Sequence, residues 1–246
     1  MPISRLSIAI LLTATALCAQ TQESFSYQVE WRLINAGRTD LSWSRGPSGY
    51  KGQLKLFSAG LVSRLFRVNN IYDSQGTAEL CAQQSRLQAE EGSRKRDTTI
   101  RWTDNKSFYK ELDLIKNETI LERELEIPGC VHDVLGALAK LRSLNNLQPG
   151  QATAISISDG KKIVMARIDA QEKEKVSTSL GSFQAIRYEA FLFNDILFKR
   201  NARLFVWISD DARRLPVQIQ VRMRIHIGTV TFTLDKVDPP MEGLKK

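Results

Sequence analysis

The most reactive side chains of the sequence lie close together in the middle of the chain. Cys130, His132 and Asp133 fall within four positions. A cysteine thiolate beside a histidine base is an arrangement for nucleophilic catalysis. Consecutive residues of a helix point apart, however, so His132 and Asp133 would not orient each other there. The sequence also contains no G-x-S-x-G or H-E-x-x-H motif. We therefore expect no enzymatic activity and keep a Cys130–His132 nucleophile as the least favoured alternative.

Cys81 and Cys130 have three alternative roles. In an oxidising compartment two cysteines most often pair, and closing a loop of about 50 residues would add roughly 4 kcal/mol of stability in the chain-entropy model. Buried free thiols are the second alternative. Metal ligation is the third, although two cysteines without a nearby pair of histidines make a poor zinc site. We predict a Cys81–Cys130 disulfide that joins a strand to the start of a helix.

Adjacent carboxylates occur twice, as Glu90-Glu91 and Asp210-Asp211. Neighbouring residues of a strand face opposite sides of the sheet, so neither pair can converge on one ion. Neither pair has the spacing of a calcium-binding loop. We expect no metal site and no cofactor.

Basic residues outnumber acidic ones, 35 against 27, and the formal net charge is +8. Several basic residues would form a single basic sheet face if their strands were adjacent, and such a face could contact anionic lipid or glycan. The alternative is an ordinary solvated face. We do not expect nucleic-acid binding, because no aromatic stacking platform accompanies these residues. The predicted basic face consists of Arg94, Lys95, Arg96, Arg222 and Arg224.

The N-terminus resembles a secretory signal peptide. Arg5 precedes an apolar run over 6–12, and small residues follow, so cleavage is expected after Ala16 or Ala19. An uncleaved anchor is the alternative. Lipidation of Cys18 is disfavoured because the residues before it are in the wrong order. No apolar run of about 18 residues follows, so we expect no transmembrane segment in the mature chain. Residues 1–19 thus predict export, with a periplasmic or secreted location.

Alternation of apolar and polar residues dominates the remaining sequence and predicts β-strands. The first strand covers 25–33, and Ala36-Gly37 is predicted as the turn after it. The strongest alternation is near the C-terminus, where 217–227 and 230–234 predict a hairpin around Gly228. Further strands are predicted over 67–73, 79–90, 94–103, 107–113, 119–126, 152–158 and 162–176.

Only one stretch has strong helical periodicity. Val131, Val134, Leu135, Leu138 and Leu141 predict a helix over 131–142, and 61–66 is compatible with a second, short helix. Many strands and one amphipathic helix predict a mainly β fold. We expect a single strongly curved antiparallel sheet, a half-barrel or open barrel, packed around one central helix at about 131–142. The single domain would span 24–237, with a frayed tail over 238–246.

One segment carries a family resemblance. The element Trp207-x-Ser209-Asp210-Asp211, followed by Arg214 and Pro216, resembles the signature of DUF3108, a family of exported bacterial proteins of unknown function. The segments 181–186 and 27–31 resemble other parts of the same family. The resemblance implies an envelope protein with no assigned catalytic residues. It also implies an architecture similar to the curved half-barrel of periplasmic lipoprotein carriers.

A curved sheet with one covering helix would leave an apolar cavity at its open side. Trp31, Phe191, Phe193 and Trp207 are the residues we expect to line it, although aromatic residues at strand spacing also suit an ordinary core. The leading hypothesis is a binding or carrier-like module for an apolar or amphipathic envelope component, such as a lipid. The alternative is a structural or protein-partner interaction protein with a filled core and no ligand.

Overall fold

The computed structural model describes residues 21–191, 202–223 and 228–240. Within these ranges the chain is mainly β, with two helices. The N-terminal half contains β1 (Thr21–Trp31), β2 (Ile34–Gly46), β3 (Gly49–Ser58), α1 (Gly60–Leu65), β4 (Val68–Gly76), β5 (Ala82–Glu91), β6 (Arg94–Trp102), β7 (Lys106–Asp113) and β8 (Glu118–Glu126). The C-terminal half contains α2 (Val134–Ser143), β9 (Ala152–Ser158), β10 (Ile163–Thr178), β11 (Gly181–Phe191), β12 (Arg203–Ser209), β13 (Pro216–Arg222) and β14 (Thr229–Asp238).

All these strands belong to one antiparallel sheet. Their order is β8-β7-β6-β5-β4-β3-β2-β1-β14-β13-β12-β11-β10-β9, so β8 and β9 are its edges. Two meanders, β1–β8 and β9–β14, are joined where β1 pairs with β14. Successive side chains of each strand point to opposite faces, and the pairing therefore gathers a set of apolar residues on one face. We call this the inner face. It carries Phe25, Leu41 and Leu54, which lie opposite one another across β1, β2 and β3.

The sheet curls, so that strands near its opposite edges touch. Trp102 of β6 donates from Nε1 to Oγ of Ser158 in β9 at 3.3 Å. The hydroxyl of Ser107 in β7 donates to the carbonyl oxygen of Gly160 at 3.0 Å. The right-handed twist that accumulates from strand to strand provides this curvature. Among the described residues no ladder joins β8 to β9, so the sheet is not closed.

The principal helix begins three residues later than predicted. α2 starts at Val134, with Asp133 as its N-cap. The residue before, His132, is extended because its N–H and C=O bond Ser156 and Ser158 of β9. This long-range pairing limits the helix more than local periodicity does. The short helix suggested over 61–66 is present as α1.

The first turn also lies elsewhere than predicted. Arg32 and Leu33 form a two-residue turn between β1 and β2, and both have positive φ angles, 50° and 67°. The predicted Ala36-Gly37 turn instead lies inside β2. There, a side chain on Gly37 would lie 2.0 Å from the carbonyl oxygen of Phe57. The glycine therefore serves a close approach of two strands, not a reversal of the chain.

Two large apolar clusters meet at α2. One contains Trp43 and Leu135, and the other contains Leu141 and Ile168. Leu138 contacts both clusters from the middle of the helix. A third, smaller cluster around Trp102 and Val131 packs beneath the curled sheet.

Candidate functional site

The N-terminal end of α2 is held by a buried carboxylate. Asp133 is 1% exposed, and its Oδ1 caps the helix by accepting the N–H of Gly136 at 2.7 Å. The same carboxylate accepts hydrogen bonds from the hydroxyls of Tyr50, at 3.0 Å, and Tyr72, at 2.8 Å. Since Tyr50 begins β3 and Tyr72 lies in β4, Asp133 ties the helix to the inner face of the sheet.

Electrostatics keeps both phenols in their neutral, hydrogen-donating form. Burial, together with the nearby Asp133 carboxylate, raises the pKa of Tyr50 and of Tyr72 well above the usual value. Neither hydroxyl ionises near neutral pH. The Asp133 cluster is thus a permanently formed structural anchor.

The predicted disulfide is present next to this anchor. Cys81 and Cys130 are bonded, with an S–S distance of 1.99 Å across a sequence separation of 49. The bond consumes the thiol of Cys130, so the Cys130–His132 nucleophile does not form. The Nδ1 of His132 lies 2.7 Å from the carbonyl oxygen of Leu80 and donates to it, so in the neutral imidazole the proton is on Nδ1. Burial lowers the pKa of His132 and favours that neutral form.

The C-terminal end of α2 is held by the turn between β12 and β13. Arg214 donates to the carbonyl oxygens of Arg142 and Leu144 at 3.3 Å, and to the hydroxyl of Tyr188 at 3.1 Å. Arg142 donates in return to the carbonyl oxygen of Arg214 at 2.9 Å. A cation at the last carbonyls of a helix also complements the helix dipole. The sequence pointed to Arg214 only through the family resemblance and did not predict this role.

Between these two anchors, α2 and the inner face enclose an apolar cavity of about 270 Å³. Its volume is slightly below the range of about 300–1,000 Å³ that is typical of ligand pockets. The walls come from both meanders and from one side of the helix. The lining residues are Tyr27, Thr39, Leu41, Leu54, Val134, Leu135, Ala137, Leu138, Leu141, Ile155, Ile157, Ser158, Asp159, Ile168, Ala190, Leu204, Val206, Ile219, Val221 and Phe232.

Polar groups are few in this lining, and most of them are engaged. The hydroxyl of Tyr27 donates to the carbonyl oxygen of Pro216, and Ser158 Oγ accepts the N–H groups of Gly160 and Trp102. Asp159 accepts two backbone N–H groups of its own turn. Among the described residues only Thr39, 3% exposed, has a lining hydroxyl with no hydrogen-bond partner. Such walls suit a hydrocarbon chain.

The residues expected around a cavity lie elsewhere. Trp207 is buried, but its side chain points away from the cavity. Its neighbour Val206 lines the cavity, and successive residues of a strand face opposite sides. Phe191 comes directly after Ala190, which lines the cavity, so its side chain points to the other face of the sheet. It is 51% exposed. Trp31 ends β1 beside the first turn and does not line the cavity. The fourth residue, Phe193, lies outside the described residues.

The predicted basic residues are not brought together on one face. Arg96 pairs with Glu111 at 2.6 Å on the inner face, while Lys95 of the same strand pairs with Glu90 at 2.9 Å on the other. Arg94 begins β6, and Arg222 ends β13, which is far from β6 in the strand order. Arg222 stacks over the ring of Phe205 at 4.5 Å. The remaining residue, Arg224, lies outside the described residues.

A second depression, of about 380 Å³, lies on the outer face across β2–β5. It is more open and is lined mostly by polar residues. Its side chains already bind one another: Gln53 donates to Asp73 at 2.7 Å and Gln75 to Gln84 at 3.1 Å. These internal bonds leave the apolar cavity as the better candidate site.

The turn that clamps α2 is also the segment whose residues resemble the family signature described above. Within it, Ser209 Oγ accepts the N–H of Leu215 at 2.7 Å, and Asp211 accepts the N–H groups of Arg213 and Arg214. A family model described as "Protein of unknown function (DUF3108)" matches residues 26–235. The chain belongs to the DUF3108 family. In this DUF3108 chain, the clamp on α2 gives a structural role to Ser209, Asp211 and Arg214.

A solved structure extends the comparison of the DUF3108 fold. The chain is similar to a β-barrel-like protein of the domain of unknown function DUF1849 from Brucella abortus, with a TM-score of 0.59 at 10% sequence identity. The similarity covers 88% of this chain and 97% of the other, and it concerns the fold alone. No curated protein matches the chain.

The described residues of this DUF3108 chain also bear on membrane spans and metal sites. None of its described helices is long and apolar enough to cross a membrane. Within the same ranges no cluster of three or more His, Cys, Asp or Glu side chains could hold a metal ion.

Proposed function

We propose that this protein is an exported, non-catalytic binding or carrier-like module that holds the apolar part of an envelope component. The cavity between α2 and the inner face is the observation that carries this proposal. Its walls are aliphatic and aromatic over nearly the whole lining. Burying hydrocarbon against them would contribute about 0.8 kcal/mol per methylene group.

An amphipathic ligand fits this cavity better than a polar one. Its charged or polar end would find few buried partners, since Thr39 carries the single unengaged hydroxyl among the described lining residues and Asp159 is held by its own turn. The polar end would therefore remain in solvent, while the hydrocarbon enters beside Leu138 and Ala190. A lipid or fatty acid has this chemistry.

Two further features support an envelope location. The N-terminal residues have the composition of a signal peptide, and the disulfide suits an oxidising compartment. Membership of DUF3108 agrees with export. A structural or partner-interaction role remains the alternative, and it would need a core that accepts no ligand.

A fluorescent fatty acid, cis-parinaric acid, tests the proposal by titration. Ala190 lines the cavity, and Ala190→Leu would fill part of it. Ala154→Leu makes the same change at an exposed position of β9. We expect the wild type and Ala154→Leu to bind the probe alike, and Ala190→Leu to bind at least tenfold more weakly. Equal binding by all three proteins, or none by the wild type, would contradict the proposal.

A further inference from the structure

The turn between β1 and β2 and the short helix α1 form one exposed apolar patch. The N–H of Ala59, just before α1, donates to the carbonyl oxygen of Ala36 at 2.8 Å, which fixes the helix beside the turn. Leu33 is 91% exposed and Leu65 is 74% exposed. We define the α1 patch as the exposed apolar residues Leu33, Ile34, Leu61, Leu65 and Phe66, together with the exposed arginines Arg32, Arg64 and Arg67.

Folding leaves these apolar side chains outside the core, although Phe66 lies against Gly92 at the turn between β5 and β6. No residue of α1 is buried, although helices in globular proteins normally bury one apolar stripe against the core. A cluster of exposed apolar residues on a soluble domain marks an interaction surface. The occupant of this surface must therefore come from outside the described chain.

The backbone of the turn points to the same conclusion. Arg32 and Leu33 both adopt the left-handed region, where two-residue hairpin turns normally carry Asn-Gly. Side chains with a β-carbon are disfavoured in that conformation. The sequence nevertheless places there a leucine that contacts little of the protein. Unfavourable backbone conformations of this kind are concentrated at functional positions.

Charge identifies the occupant. The segments 31–36 and 58–68 contain three arginines and no carboxylate. Of the acidic residues on neighbouring β5, Glu90 binds Lys95 and also lies near Arg67, and Glu91 binds Asn70, while Glu30 precedes the turn in β1. Apolar side chains interleaved with arginines, without carboxylates, suit the boundary between acyl chains and anionic headgroups. We propose that the α1 patch docks this protein on the surface of an anionic phospholipid bilayer.

The position of the patch relates it to the cavity. β2 and β3 lead from the patch to the cavity wall, where they contribute Thr39 and Leu54. A membrane-docked protein would hold the cavity close to a source of amphipathic molecules. Docking itself does not depend on the cavity and stands if the cavity binds nothing.

Vesicle flotation with the protein as purified from the envelope tests the docking. Vesicles of phosphatidylglycerol and phosphatidylethanolamine are compared with neutral phosphatidylcholine vesicles. Leu61→Ser/Leu65→Ser removes apolar contacts from α1, and Arg32→Asn/Leu33→Gly installs the turn that the backbone prefers. Met165→Ser is the matched control, because Met165 is an apolar residue of β10 that is 65% exposed. All variants share the same N-terminus, so differences between them report on the patch.

We expect the wild type and Met165→Ser to float with anionic vesicles and at least tenfold less with neutral ones. Both patch variants should partition at least tenfold less, and the turn variant should unfold at the same or a higher temperature than wild type. Lipids brominated near the headgroup should quench Trp31, and Trp31→Phe should lose that signal. Ala190→Leu should still float, which separates docking from ligand binding.

Several results would overturn the proposal. They are no flotation of the wild type, equal flotation of the patch variants, or equal binding to anionic and neutral vesicles. A self-association that the patch variants abolish, without vesicle binding, would assign the surface to a second copy of the chain and would also overturn it.

Discussion

The inner face of the sheet is built differently on its two sides. Across β10–β14 the inward side chains that line the cavity are apolar, and with α2 they surround a cavity of about 270 Å³. Across β6 and β7 the same face carries charge. There Arg96 pairs with Glu111 at 2.6 Å, and Tyr109 donates to the same carboxylate at 2.7 Å. The polar side of the inner face fills its space with side chains that bind one another.

The difference teaches how a small protein keeps a cavity open. α2 is fixed at its ends, by the Asp133 cluster and by Arg214, through directional hydrogen bonds. Its middle, around Leu138, therefore does not have to pack tightly on the sheet to hold the helix in place. On the polar side, an unpaired buried charge would destabilise the fold, so the charged side chains pair with one another and fill the space.

The largest expected effect comes from breaking the N-terminal anchor of α2. Asp133→Ala should lower the free energy of unfolding by about 4 kcal/mol, because it removes a helix cap and leaves two buried hydroxyls without an acceptor. Urea denaturation measures this. Adding Tyr50→Phe and Tyr72→Phe should restore part of the loss, since the orphaned hydroxyls are then gone. A loss below about 1 kcal/mol would show that the anchor does not hold the helix.

The matching break on the polar side should cost less. Glu111→Ala leaves Tyr109 and Arg96 without their shared acceptor and should cost about 2 kcal/mol, since Arg96 is partly exposed and water can solvate it. Glu111→Gln should lose less, because its amide oxygen still accepts. Urea denaturation checks the stability of both variants. Both variants should bind the fluorescent probe in the cavity as the wild type does. Reduced probe binding would show that the two sides are not independent.

The same substitution, Ala→Leu, should change stability in opposite directions at the cavity and in a filled cluster. Ala190→Leu fills empty volume and should raise stability by about 1 kcal/mol. Ala82→Leu enters the filled cluster around Trp102 and should lower stability by about 1–3 kcal/mol through overpacking. Thermal unfolding distinguishes the two. A loss of stability in both variants would mean that the cavity is packed as fully as the cluster around Trp102.

The smallest expected effect is a pH dependence from His132. Burial lowers the pKa of His132 in the folded protein, so the unfolded chain binds a proton that the folded protein does not. Stability from this group is complete above the unfolded pKa of about 6.5 and falls as pH decreases from there toward the folded pKa. The slope cannot exceed about 1.4 kcal/mol per pH unit, the value for one proton. His132→Asn keeps a donor for Leu80 and should flatten the stability profile below the unfolded pKa of about 6.5. An unchanged slope would contradict the assignment.

The sequence predicted the strands and the disulfide because both depend on local pattern and on compartment. It did not predict which side of each strand faces the cavity. Trp207 and Phe191 are the prominent residues, yet Val206 and Ala190 face inward, and this parity depends on pairings between distant strands. The start of α2 and the clamp by Arg214 are likewise set by contacts remote in sequence. The Arg32–Leu33 turn was missed because neither residue favours positive φ.

Native mass spectrometry of the protein, isolated from the envelope without detergent, tests the central claim most directly. The wild type and Ala154→Leu should carry an added mass of lipid size that organic solvent removes. Ala190→Leu should give the bare polypeptide mass, with the two hydrogens of the disulfide missing. A wild type that repeatedly shows only the bare polypeptide would contradict the claim that the apolar side of the sheet holds an envelope component.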